Sequence, residues 1–205
     1  MKKFTWFLVF TIVTSLLIAN PPQVKQLKSL GFSMEVPVHW DEVSTEEFQD
    51  NLQRVNLGSP KFNKLLQENS EIPIISLRKG DLENDEYLTT VNVKIQKNNL
   101  EFRNIPKTLR KLLFYVSLEL KNFDYLIEPK TVRINGNLAG YSLFSYSIYN
   151  EKEEEKKKII SAVWIFPQKD YFYFIGTGIP FEDFEPKLNE IKTIITSVKI
   201  ESKSH

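Results

Sequence analysis

Two apolar runs near the C-terminus dominate the pattern of the chain. Residues 159–166 set Ile159, Ser161, Val163 and Ile165 on one side of an extended strand and Ile160, Ala162, Trp164 and Phe166 on the other. Residues 171–177, YFYFIGT, are also aromatic and aliphatic on both sides. A strand apolar on both sides needs a covering layer on each, which puts this pair in the middle of a sheet and predicts buried positions for Trp164 and Phe174. Pro167-Gln168-Lys169-Asp170 is a polar break of hairpin length between them. Beyond them Phe181, Phe184, Leu188, Ile191, Ile195 and Val198 recur at three- and four-residue steps, the stripe of a closing helix. Pro186 suits its first turn, and Glu182, Asp183 and Glu185 suit its positive end.

Upstream, Val24, Leu27 and Leu30 are spaced for one short helical turn ended by Gly31, within a tether over residues 20–30. Phe32-Ser33-Met34-Glu35-Val36 alternates as a half-buried strand, with residues 40–43 as its hairpin partner. Ser44 followed by Glu47 is a capping box, opening a helix with Phe48, Leu52 and Val55 on one face. Ser59-Pro60 signals a second short helix carrying Phe62, Leu65 and Leu66. Residues 74–78 and 90–96 read as strands, the latter with Val91, Val93 and Ile95 inward, and residues 80–86 as an acidic loop. Pro106 opens the longest internal helix, whose buried face is Leu109, Leu112, Leu113, Val116 and Leu120. Its Lys107, Arg110 and Lys111 stand near the helix start, where the dipole disfavours cations; they form either a solvated face or an anion-facing patch. Asn135-Gly136-Asn137 joins residues 125–134 to 138–149 as a hairpin. The run EKEEEKKK at 151–158 reads as a charged hairpin tip that keeps a long ribbon soluble.

The N-terminus follows a different pattern. Lys2 and Lys3 precede residues 4–19, sixteen residues without a charge, and Asn20-Pro21-Pro22 breaks any helix. Such a run spans roughly 24 Å, short of the roughly 30 Å hydrocarbon core. It has the layout of a secretory signal peptide, with Ala19 as the last removed residue, or of an uncleaved N-terminal anchor. The expected organisation is therefore a signal or anchor over 1–19, the tether over 20–30, one domain over 31–200 and a tail over 201–205. Location follows: exported, whether periplasmic, extracellular or anchored outside the cytoplasm. Of the 205 residues, 27 are basic and 26 acidic. Without the first 19 the chain has 25 basic against 26 acidic, and the signs are intermixed. No basic footprint for nucleic acid arises from that distribution. The absence of cysteine removes disulfides, thiolate metal sites and a cysteine nucleophile.

Several stretches together resemble the PsbP-like family, the extrinsic oxygen-evolving-complex subunit and its bacterial relatives. Residues 31–40, GFSMEVPVHW, are similar to that family's opening aromatic strand followed by Pro-x-x-Trp. Thr90-Val91-Asn92-Val93 is similar to its Asn-Val strand, and residues 134–141, INGNLAGY, to its hairpin into a tyrosine-rich strand. The aromatic strand at 171–175 and a helix finishing in Ser197-Val198-Lys199-Ile200 complete the likeness, which covers residues 31 to 200. The resemblance implies an α+β fold, a three-layer α/β/α sandwich around a central antiparallel sheet. It also implies a non-enzymatic binding or assembly factor of a lumenal or envelope compartment. The lipoprotein attachment common among bacterial relatives does not carry over, because there is no cysteine.

Residues able to do chemistry are few. The two histidines are His39, at a strand end, and His205, the last residue. No His-x-x-x-His pair, calcium-loop spacing, phosphate-binding glycine loop or Gly-x-Ser-x-Gly elbow is present. Asp81, Glu83, Asp85 and Glu86 offer at most a weak hard-cation loop. The aromatics Tyr141, Phe144, Tyr146, Tyr149, Tyr171, Phe172, Tyr173 and Phe174 lie on adjacent predicted strands, where packing accounts for most of them. The reading is an exported, non-catalytic module without metal or cofactor. Its expected partner is another protein, and it meets a membrane only through an uncleaved N-terminus. The rivals are a hydrolase using a carboxylate pair or His39, and a carrier of a small apolar ligand along the aromatic face.

Overall fold

The computed structural model describes residues 22–54, 73–80, 87–97, 104–149 and 155–201. Among them, seven strands form one antiparallel sheet: β3 (Asp41–Glu42), β4 (Ile75–Lys79), β5 (Thr89–Lys97), β6 (Asp124–Ile134), β7 (Asn137–Tyr149), β8 (Glu155–Pro167) and β9 (Tyr171–Pro180). Their order across the sheet is β3-β4-β5-β9-β8-β7-β6. The two runs apolar on both sides are β8 and β9, side by side in the interior of the sheet. A smaller sheet has β2 (Phe32–Val36) between β1 (Gln23–Leu27) and β10 (Lys199–Ile200). The helices are α1 (Thr45–Arg54), α2 (Ile105–Glu119) and α3 (Phe184–Thr196).

The alternation along β8 sorts its side chains into two cores. Ile160, Ala162, Trp164 and Phe166 join Tyr173 and Ile175 of β9, Phe32 and Met34 of β2, and Leu188, Ile191 and Ile195 of α3. Val163 and Ile165 point the other way, with Phe144 of β7 and Phe172 of β9, against Leu109 and Leu113 of α2. Ile160, Ile165 and Phe166 are wholly buried, each contributing about 1.5–3 kcal/mol of transfer free energy. The architecture is thus α+β in three layers, with α2 on one face and α3 together with the small sheet on the other. Ser44 caps α1 as its capping box requires, its hydroxyl accepting from the Glu47 amide at 3.1 Å.

Two local devices position α2 and α3. At the β6–β7 turn, Asn135 and Gly136 have φ of 46° and 80°, the paired left-handed conformations of a type I′ hairpin. The Asn135 side-chain amide then donates to the carbonyls of Thr196 and Val198, at 2.6 and 3.0 Å, so the turn also holds the end of α3. In β7, a Cβ on Gly140 would stand 2.7 Å from Ile165 Cγ1 and 2.8 Å from Ile105 Cγ2. The glycine lets the first residue of α2 settle directly onto the sheet.

Three expectations are corrected. The stretch read as a tether carries β1, which pairs with the whole of β2 from Gln23 opposite Val36 to Leu27 opposite Phe32. The helical turn expected there is only the 3-10 turn Lys28–Leu30 that follows it. The strand after Trp40 pairs with β4 rather than β2, Asp41 lying opposite Arg78. Phe174 is half-buried where Trp164 is 4% exposed, because its side of β9 meets the α2 layer rather than the main core. The signal or anchor segment, the Ser59-Pro60 helix, the acidic loop from Asp81 and residues 150–154 of the charged hairpin tip lie outside the described residues.

Candidate functional site

The residues singled out for chemistry do not come together. His39 is exposed in the turn from Pro37 to Trp40, closed by the Trp40 amide donating to the Pro37 carbonyl at 3.1 Å. Among the described residues, no three histidine, aspartate or glutamate side chains converge as metal ligands. His205 and Asp81, Glu83, Asp85 and Glu86 fall outside the described residues. Apart from Tyr149, the aromatic group divides between the two cores: Tyr141 packs on Trp164 with ring centroids 5.1 Å apart, whereas Phe144 packs on Phe123 at 4.9 Å. Two open clefts of about 410 Å³ are lined by none of the aromatic group. One is bordered by Glu42, Thr45, Pro73 and Ser76, the other by Ile105, Arg133, Leu138 and Gln168.

Shifted ionisations have structural causes. Burial pushes the Tyr173 hydroxyl up, reinforced by neighbouring Tyr171, and this hydroxyl donates to the Leu30 carbonyl at 2.8 Å. Burial likewise raises Tyr125, with Glu128 adding to the shift and Arg110 opposing it. Glu182 is held low by its own backbone amide and then by Lys157, whose ammonium is 3.0 Å away. Each lies at a packing contact or a surface pair, and no proton-transfer relay links them.

The feature that stands out is the outward face of α2. Asn104 caps this helix, its side chain accepting from the Lys107 amide at 3.0 Å, and Pro106 occupies the first turn without an acidic neighbour. The inward stripe is Leu109 and Leu113, 0% and 2% exposed. On the opposite side Phe114, Tyr115 and Leu118 are 52%, 72% and 66% exposed, and the first two rings meet edge to face at 5.6 Å. Lys107, Arg110 and Lys111 continue the same face toward the helix start, all exposed. Arg110 pairs with Glu128 of β6 at 2.8 Å. The apolar part of this face was missed in the sequence, although a signal exists. Residues 112–118, LLFYVSL, hold more large apolar side chains than one buried stripe can absorb.

No known family profile matches the chain, and no curated protein matches it in sequence. Solved structures do match in shape. Cyanobacterial PsbP (CyanoP) from Synechocystis sp. PCC 6803 superposes with a TM-score of 0.52 at 10% identity, over 91% of this chain and 96% of that one. The fold is PsbP-like. A second match is LpqN of Mycobacterium tuberculosis, described as involved in cell envelope biogenesis. It has a TM-score of 0.52 at 10% identity and covers 90% of this chain and 88% of its own. The resemblance read from the strand and hairpin signatures therefore holds at the level of fold. In this PsbP-like fold the exposed apolar side chains of α2 stand on the outer layer, away from both cores.

Proposed function

We propose that this PsbP-like chain is a non-catalytic, exported module of the cell envelope that works by docking, as a binding or assembly factor, through the outward face of α2. The observation that carries the reading is the exposed group Phe114, Tyr115 and Leu118. Three large apolar side chains on one turn of a surface helix have no role in either core, and such patches mark interaction surfaces. The basic head and uncharged run at the N-terminus support export. The involvement of LpqN in cell envelope biogenesis, on a like fold, supports an envelope setting. Against catalysis stands the position of His39, exposed in its turn and without a hydrogen-bond or ion-pair partner among the described residues.

The test is site-specific photo-crosslinking in the producing cell, with the reactive side chain placed at position 115 and, as a control on another layer, at position 24. Val24 is 60% exposed, so both probes are accessible. The docking reading expects adducts from position 115 well above those from position 24. Equal labelling at the two positions, or none at 115, would remove α2 as the docking face.

A further inference from the structure

The occupant of the α2 face can be read from its shape and charge. We propose that this face docks on an anionic lipid bilayer, with Phe114, Tyr115 and Leu118 entering the headgroup boundary and Lys107 and Lys111 meeting lipid phosphates. The inference rests on the docking role of α2 and names what that face takes.

Lys107, Lys111, Phe114 and Leu118 follow one another at steps of four, three and four along a helix with 3.6 residues per turn, so they form one outward line. Tyr115 flanks it, more exposed than any other large apolar side chain described. A helix seated on a sheet presents this line as a ridge, not a groove. A folded protein partner would have to supply the concavity and about 800 Å² per side for a stable contact. Three side chains fall well short of that area, whereas a bilayer accepts protruding apolar groups one by one to a depth of about 5–10 Å.

Charge points the same way. Arg110 is neutralised by Glu128, Lys121 lies over the Tyr149 ring at 4.6 Å, and Glu119 and Asp124 stand toward the far end of the helix. Among the described residues, Lys107 and Lys111 have no ion-pair partner. Lys107 sits in the first turn, where a helix alone is better served by an acid, and Lys111 stands one turn further on along the same face. Cations placed against the dipole and beside exposed aromatics match the combination that holds peripheral proteins on anionic membranes. The contact does not depend on the N-terminal run. The chain enters the fold at β1, in the layer on the other face of the large sheet, and a chain beginning at Asn20 keeps every described element.

The experiment is co-sedimentation of the chain from Asn20 onward with vesicles of phosphatidylglycerol mixed with phosphatidylethanolamine, against vesicles of phosphatidylcholine alone. Preferential pelleting with the anionic vesicles is expected, weakening as salt is added. Lys107→Glu/Lys111→Glu and Phe114→Ser/Leu118→Ser should each lower the apparent affinity by about tenfold or more, with urea midpoints close to wild type. Tyr115→Trp supplies a second readout that leaves the face intact: the emission it adds to that of the wild type should shift to the blue on binding. Failure to pellet, pelleting indifferent to both double variants, or an added indole emission at position 115 that does not move overturns the lipid assignment. Protein adducts from position 115 without vesicle binding would overturn it too, while leaving the docking role of α2 standing.

Discussion

Substituting Gly140 tests how closely α2 is seated, because nothing in its backbone demands a glycine. No positive φ is recorded for it, so the argument is purely steric. An added Cβ would lie 2.7 Å from Ile165 Cγ1 and 2.8 Å from Ile105 Cγ2. Ile165 is wholly buried and cannot swing away, and Ile105 is held by the capped first turn of α2. Forcing a methyl into such a site costs about 1–3 kcal/mol. The unfolded chain offsets part of that, since alanine has less freedom to lose than glycine, by about 0.4–1 kcal/mol. Gly140→Ala should therefore destabilise by about 1–2 kcal/mol, read as a lower urea midpoint at unchanged slope. Ile165→Ala opens space at the same point, so the double variant should be more stable than additivity predicts by about 0.5–3 kcal/mol. A Gly140→Ala midpoint at or above wild type, or strict additivity with Ile165→Ala, would refute the close-approach argument.

Trp164→Ala should cost about 3–5 kcal/mol and Phe174→Ala clearly less, because Phe174 keeps part of its ring in water; equal losses in chemical denaturation would contradict the two-core division. Asn135→Asp tolerates the left-handed turn but replaces the donor to Thr196 and Val198 by an acceptor. It should lower thermal stability by the equivalent of about 1–3 kcal/mol, and an unchanged melting temperature would show that the clamp is idle. Tyr173 is neutral in the fold and ionises there only well above its ordinary value of 10.0, whereas in the unfolded chain it ionises near 10.0. The stability that it contributes is fully present below pH 10 and falls as pH rises beyond it. Tyr173→Phe should flatten that alkaline decline in melts taken across this range, and an unaltered slope would assign the decline elsewhere.

Much of the fold was legible because its strongest signals are local. The alternation of β8 foretold which side chains enter which core, Asn135-Gly136 foretold the hairpin, and Ser44 foretold the start of α1. The two misplaced strands share one cause, which is pairing that no local pattern encodes. β1 is a largely exposed edge strand, so its residues carry no alternation and owe their conformation to β2. β3 is two exposed residues, Asp41 and Glu42, which find β4 across a long stretch of chain. The α2 face is half-legible: its cations stand out by their conflict with the helix dipole. Phe114, Tyr115 and Leu118 carry no such mark, because apolar residues interleaved with a buried stripe have the same pattern whether they face inward or outward.

The place of β9 bears on the timing of folding. Strands β3 to β5 and strands β6 to β8 are two separate groups, and β9 is the strand that bonds to both, with Val93 facing Ile175 and Trp164 facing the same Ile175. A chain made, or threaded through a pore, from its N-terminus cannot complete β5 until residues near 180 are available. Non-local pairing of this kind slows folding. Under the proposed export, that delay would keep the first half free of a finished core while it waits. Hydrogen exchange on stalled chains would show it: the β5 amides that bond to β9 should gain protection only in chains long enough to include β9, and their protection in a chain ending at Asp170 would break the link.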